Sequence, residues 1–373
     1  MLRTVFTDEH EDFRRIVRAF VTEEIEPEYP SWEQTGRPSR HFWRRAGELG
    51  ILGIGVPAEY GGLPDSTFLH SVVVTEEIQK RFLALGGLRV QTDICMPYFL
   101  HYATDEQKRR WLPALTDGSA IAALGLSEPG AGSDLKAMST RAVRDGDHYV
   151  VNGAKTFISN GAAADLIILA VKTDPQAGRQ GISLLVVEGG TPGFERGRSL
   201  DKLGLKAQDL AELSFTDVRV PVSNLLGEEN RGFEYLTANL AQERLSIAVN
   251  SQAAASAILA HTVASLAGSE PGQHARFELA ACATEIEAGQ SLIDRALTEL
   301  AGGTLSPADA AMAKLFCTEL QSRIADRCLQ LHGTAGYAKK GLIGRAYLDG
   351  RVSRIYGGSS EIMKVIIGQT LGL

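Results

Sequence analysis

Phe13, Ile16, Val17 and Phe20 recur at the three- and four-residue spacing of one helical face, and Val72, Val73, Ile78 and Phe82 extend helical patterning further along. Residues from about 5 to 120 therefore read as helical, broken by glycine and proline at GVPAEYGGLP (55–64) and near Met96-Pro97. The period changes between 121 and 230. Arg141–Arg144, Asp145-Gly146 and His148–Val151 predict a tight hairpin, and Asn152-Gly153 predicts a second turn into Lys155–Ser159. Leu166–Val171 and Ile182–Val187 are short apolar runs rich in branched residues, and Leu213–Val220 follows ahead of Pro221. With no long helical pattern between them, these segments predict a compact β domain. Ala-rich segments 233–267, 274–301 and 307–332 then predict antiparallel helices joined by short loops, as in a bundle. The expected organisation is α, β, α, with a helical domain over 1–120, a β domain over 121–230 and a helical bundle over 231–373.

The totals narrow the function classes. A chain of 373 residues supports one large or two to three modest domains. The formal net charge of −7 argues against nucleic acid as the main partner, because phosphate binding needs a cationic face. Four cysteines, Cys95, Cys282, Cys317 and Cys328, form no CxxC pair and no cluster with histidine, so they read as reduced core thiols and no metal site is expected. The opening MLRTVFTDEHEDF is charged from the start and lacks the apolar core of a signal peptide, which points to a cytoplasmic protein. Leu245–Ser269 carries no Asp, Glu, Lys or Arg but is rich in Ala, Ser, Asn, Gln and His. It reads as a buried or subunit-facing helix, not a membrane span.

Four segments could carry chemistry. In GLSEPGAGSD (125–134), Gly130 and Gly132 permit close backbone approach to a ligand, and Ser127 and Ser133 offer hydroxyls, as a flavin edge or a phosphate needs. Alone, such a stretch is more often a plain turn. In TFISNG (156–161), Phe157 can lie against a flat heterocycle and Ser159 can donate to its edge; the plainer reading is a strand and its turn. On a helical wheel, Phe233, Leu236, Leu240 and Ile247 form one apolar stripe, with Glu243 and Arg244 on its opposite margins. A carboxylate there, partly desolvated, suits a general base; a border charge or an ion pair is the alternative. In Arg354-Ile355-Tyr356-Gly357-Gly358-Ser359-Ser360-Glu361-Ile362, two glycines bring backbone close to something flat or bulky, or simply join two helices.

Taken in this order, with GVPAEYGG, KLGLKAQD, RVPVSNLLGEENRGF, LQLHG and IYGGSSEIMK between and around them, the four segments resemble the acyl-CoA dehydrogenase family over nearly the whole chain. The resemblance implies an α+β fold: an N-terminal α-helical domain, a middle β-barrel-like domain and a C-terminal four-helix bundle. It implies FAD as cofactor, an acyl-CoA substrate, an electron-transferring flavoprotein as electron acceptor, and a homotetramer or dimer. By the same resemblance Leu126, Ser127, Gly132, Ser133, Phe157, Ser159, Gln330, Gly333 and Ser359 would meet FAD. Ser133, Arg244, Tyr356, Gly357 and Gly358 would meet the substrate. Much of the family places its base in a Tyr-Glu-Gly-Thr/Ser motif, where this chain has Tyr356-Gly357-Gly358-Ser359. The chain resembles the long-chain and isovaleryl subgroup, whose base sits on the first bundle helix in a Glu-Arg-Leu setting; Glu243-Arg244-Leu245 matches it, so Glu243 is the expected catalytic base.

Two departures stand out. The family's Tyr-x-x-x-Arg-x-x-Phe-Gly segment, whose Arg reaches a neighbouring subunit's FAD, is replaced by the shorter HTVASLAGSEPGQHARFELA (261–280), and Gly333 is followed by Thr334 instead of a second glycine. Loss of one charge-assisted contact weakens FAD binding by about 1.5–3 kcal/mol. Beside the dehydrogenase reading stand an acyl-CoA oxidase or acyl-carrier-protein-linked desaturase on the same fold, and a flavin-poor partner subunit of a heteromeric dehydrogenase.

Overall fold

The computed structural model describes residues 3–268, 270–338 and 341–372; Ser269, the last residue of the uncharged stretch, lies outside them. The first half is built from α1 (Asp8–Phe20), α2 (Glu26–Thr35), α3 (Arg40–Glu48), α4 (Phe68–Lys80), α5 (Gly86–Arg89), α6 (Met96–Tyr102) and α7 (Asp105–Thr116). Phe13, Val17 and Phe20 are buried, whereas Ile16 is half exposed, so the inward face of α1 is narrower than its spacing implied. Phe82 lies past the end of α4 in the left-handed region (φ 57), its ring against His261. Met96-Pro97 does not interrupt the chain: α5, a π-helical segment Val90–Cys95 and α6 follow one another without a gap. Pro97 sits in the first turn of α6, and the wider π turn before it accommodates the missing N–H donor.

The middle of the chain forms β1 (Ala122–Gly125), β2 (Arg141–Asp145), β3 (His148–Ser159), β4 (Leu166–Lys172), β5 (Ile182–Glu188), β6 (Phe194–Ser199) and β7 (Leu210–Pro221). They make one sheet in the order β1-β4-β2-β3-β7-β6, with β5 on the other edge of β4. The sheet curls round its own core, barrel-like in shape, while its hydrogen bonding stays open among the described strands. The β2–β3 hairpin is as expected, but Asn152-Gly153 makes no second turn. β3 runs on through a bulge there and pairs with β7 along its length. Asn152 exchanges two hydrogen bonds with Asp217 on β7, both at 3.0 Å, so cross-strand pairing overrides the local turn preference. β4 and β5 are buried on both faces: Leu166, Ile168, Ala170, Ile182, Leu184 and Val186 pack against the helices, and Ile167, Leu169, Val171, Leu185 and Val187 point into the sheet's core. That explains why their sequences run apolar without alternation.

The last third consists of α8 (Gly232–Ser265), α9 (Gln273–Ala301), α10 (Pro307–His332), α11 (Leu342–Gly350) and α12 (Ser360–Thr370). α8, α9 and α10 pack on one another and α12 packs on α10, giving the four-helix arrangement. α8 also contacts α4 and β5, so Arg244–Val249 are all buried and the helix has no simple apolar stripe. Arg244 consequently lies in the interior, 6% exposed, and not on a solvent margin. All four cysteines are buried and unpaired. Among the described residues there is no metal-type cluster and no helix long and apolar enough to cross a membrane.

Candidate functional site

The loop after β1 is tied to β3 from beneath. Thr156 N–H donates to the Ser127 carbonyl at 2.9 Å, and the buried Lys155 ammonium donates to the Leu126 carbonyl at 3.1 Å and to Glu128 at 2.8 Å. Glu128 also accepts from the backbone N–H groups of Ser139 and Thr140. Burial opposes the charge on Glu128, but the bonds from Lys155 and Thr140 outweigh it and hold the carboxyl down to about 2. Sequence reasoning missed this pair. Its signal was a lysine in register with Tyr149 and Val151, on the inward face of a strand.

The loop and β3 present the expected flavin-lining residues. Leu126 and Ser127 are half-buried, and Gly132 and Ser133 are exposed. A Cβ at Gly130 or Gly132 would meet no protein atom within 4 Å, so open space lies beside them. Phe157 sits where the β3–β7 register shifts; it has φ 57 and is 65% exposed. An exposed phenyl ring on a left-handed residue is costly twice over, which a flat ligand against the ring would offset. Ser159 Oγ accepts from Gln208 Nε2 at 2.9 Å. These hydroxyls, the open loop and the presented ring fit the edge and face of an isoalloxazine.

Across a narrow cleft lined by Gly86, Arg89, Gln208, Asn250, Gln321 and Tyr356 lies the second cluster. Glu243 on α8 lies beside Gly357, the residue after Tyr356. The residue as a whole is half-buried, yet protein packs closely round its carboxylate, no hydrogen bond from a described residue reaches it, and burial, only partly offset by Arg244, pushes it up to about 7. A Cβ built at Gly357 would lie 3.7 Å from Glu243 Oε1 and 2.2 Å from Ile247 Cδ1. The slot that holds a glutamate elsewhere in the resembled family therefore opens onto the same spot as Glu243, and Ile247 closes it to any side chain. Gly357 and Gly358 are both left-handed, at φ 62 and 93. Among the described residues, the N–H groups of Gly357, Gly358 and Ser359 donate to no protein acceptor. Ser359 Oγ caps α12 by accepting from Ile362 N–H at 3.4 Å. Arg244 Nε, Gln208 Oε1 and Gln321 Oε1 are buried without partners.

Two expected residues lie apart. Gln330 and Gly333 are exposed at the C-terminal end of α10. Gln330 stands sixteen residues, roughly 24 Å of helix, from Lys314, which touches Gly358. The structure therefore does not bring them together with the Gly357 and Glu243 cluster. Within 261–280, residues 261–265 end α8 and residues 273–280 begin α9, where Arg276 donates to the Pro271 carbonyl and Phe277 is exposed.

Comparison with known proteins gives a consistent answer. Residues 7–119, 123–218 and 230–372 match the models for the N-terminal, middle and C-terminal domains of acyl-CoA dehydrogenase. The chain is 40% identical over 382 residues to the long-chain specific acyl-CoA dehydrogenase of Sus scrofa, covering 99% of this chain and 88% of that one. It is 33% identical to the isovaleryl-CoA dehydrogenase of Pongo abelii, covering 97% and 88%. The crystal structure of an acyl-CoA dehydrogenase from Geobacillus kaustophilus superposes with a TM-score of 0.97 at 46% identity, covering all of both chains.

Proposed function

Since this chain belongs to the acyl-CoA dehydrogenase family of FAD-dependent flavoproteins, we propose that it converts an acyl-CoA thioester to the trans-2-enoyl thioester, with Glu243 as the base that removes the α-proton. The observation that carries this reading is the closely packed carboxylate of Glu243, which accepts no hydrogen bond from a described residue and lies beside the Gly357 backbone. A thioester α-proton is a weak acid, so its acceptor must be held against the carbon, screened from water and matched in proton affinity to neutral pH. The N–H groups of Gly357, Gly358 and Ser359, which have no protein acceptor, are the donors we assign to the thioester carbonyl as negative charge builds on it. Arg244 and Tyr356 are assigned to the substrate side of the cleft. Leu126, Ser127, Gly132, Ser133, Phe157, Ser159 and Ser359 would hold FAD, which when bound supplies the acceptor for the β-hydrogen as hydride. An electron-transferring flavoprotein is the electron acceptor, and a homotetramer or dimer in the cytoplasm the working form.

The test is Glu243→Gln assayed on a panel of straight and branched acyl-CoA thioesters. Turnover should fall roughly a thousandfold, the usual contribution of a positioned base; near-normal turnover would mean that another group takes the proton. Purified protein should also show flavin absorbance near one FAD per chain once FAD is supplied.

A further inference from the structure

Two side chains of α10 grip the segment that faces Glu243. Lys314 is fully buried, and its ammonium donates to the Gly358 carbonyl at 2.7 Å. Five residues on, Glu319 accepts from Arg354 Nε at 2.8 Å and from Ser360 Oγ at 2.6 Å. α10 thus holds Arg354–Ser360 at its start, its end and beside its middle. Gly357, between those points, lies against Glu243 and Ile247. Keeping an ammonium in this interior is unfavourable: burial, with help from the nearby Arg244, pushes Lys314 down to about 8. Helix packing does not require it, since α10 meets its neighbours through Ala310, Ala313, Cys317, Leu320 and Ile324, and a hydrophobic side chain of similar volume commonly serves a core as well or better.

We propose that Lys314, seconded by Glu319, is a positioning residue for proton abstraction: it fixes the Gly357–Gly358 backbone as the wall that keeps water from the Glu243 carboxylate. This rests on the reading of Glu243 as the base. The ionisable groups around Glu243 are Arg244 from α8, and Cys95 and Tyr98 from the π segment and α6; Lys314 stands behind Arg244. From the 354–360 segment, the Gly357 backbone lies against Glu243 at this point. Burial is the main influence on Glu243, so loosening that wall admits water and lowers its proton affinity.

The experiment compares pH profiles of kcat/KM for FAD-loaded wild type, Lys314→Met, Lys314→Gln and Glu243→Gln, with thermal melts as a check on folding. Lys314→Met, which lacks the donor, should lose roughly ten- to a hundredfold in kcat, as expected for a displaced reacting group, and its acid limb should move to lower pH by at least about half a unit. Lys314→Gln, which keeps a donor without the charge, should restore the wild-type limb. An unmoved limb in Lys314→Met overturns the proposal, even if the rate falls. So does a Lys314→Gln enzyme that behaves like the methionine variant. If Lys314→Met does not fold, Glu319→Ala at its half-buried site carries the same test, and an unmoved limb there also overturns it. Retained turnover and an unchanged limb in Glu243→Gln would instead sink the base assignment, so the two failures are distinguishable.

Discussion

Glu243 links catalysis and stability through one proton. In its proposed role as base it would act ionised, so with its carboxyl pushed up to about 7 the rate should rise with pH through that region. Its effect on stability has the opposite sense. Its folded value lies above the ordinary 4.5, so its contribution is fully present below pH 4.5 and is lost as pH rises through 7. Glu243→Gln should therefore melt like wild type at pH 4.5 and above it at pH 8, by an amount on the order of 1–3 kcal/mol. Melts of the two proteins at both pH values check this, and equal melting at pH 8 would show that the carboxylate is better hydrated than its packing implies. Phe157 offers a second residue-level test. Phe157→Ala should loosen FAD by roughly tenfold, through loss of ring contact, while leaving the melting of the FAD-free chain nearly unchanged. Both residues were legible in the sequence because each belongs to a short ordered phrase. Arg244 was legible in type but not in depth, since a helical wheel assumes a solvent side that α8 lacks.

Among the elements, the loop after β1 depends on a buried ion pair that its own sequence does not advertise. Lys155→Met would leave the Glu128 carboxylate buried without its cation, and should cost about 3–5 kcal/mol as well as flavin content. Chemical denaturation and the flavin-to-protein absorbance ratio would report both. A related pattern holds α1 to α4. There burial opposes the Glu77 charge, but bonds from Arg18, Lys80 and Arg14 bring the carboxyl down to about 2. With folded values near 2 against an ordinary 4.5, Glu77 and Glu128 contribute stability that is complete above pH 4.5 and lost as pH falls toward 2. In a Glu243→Gln background, which removes the opposing titration, the melting temperature should drop steeply as pH falls below about 4.5; circular dichroism melts across pH 2–6 would show whether it does. Element type was largely readable from apolar period, and the errors share a cause. Asn152-Gly153 and Met96-Pro97 are strong local signals, and in both places neighbouring structure prevails, through β7 pairing in one and a π turn in the other.

At the scale of the whole molecule, the helices of the first domain, the sheet and the bundle share their packing, through α8 against α4 and β5 and through the core that joins α6, β4, β5 and α8. Arg3 pairs with Glu76 on α4 and with Asp294 on α9 at 2.6 Å, fastening the start of the chain to the bundle. The sequence could not announce that contact, which spans 291 positions. Arg3→Ala should lower the melting temperature by a few degrees, the scale of about 1 kcal/mol in a protein of this size, and leave FAD content untouched. The two-sided burial of β4 and β5 has a further consequence, for how the chain comes off the ribosome. One continuous core joins Met96 and Phe99, then Ile168 and Val186, then Tyr235 and Leu236. Helices made early must wait, partly uncovered, until more than a hundred later residues have emerged, and the strands in turn expose a greasy face until α8 arrives. Synthesis of this protein thus has a vulnerable interval, in which holdase chaperones would matter more than the stability of the finished fold.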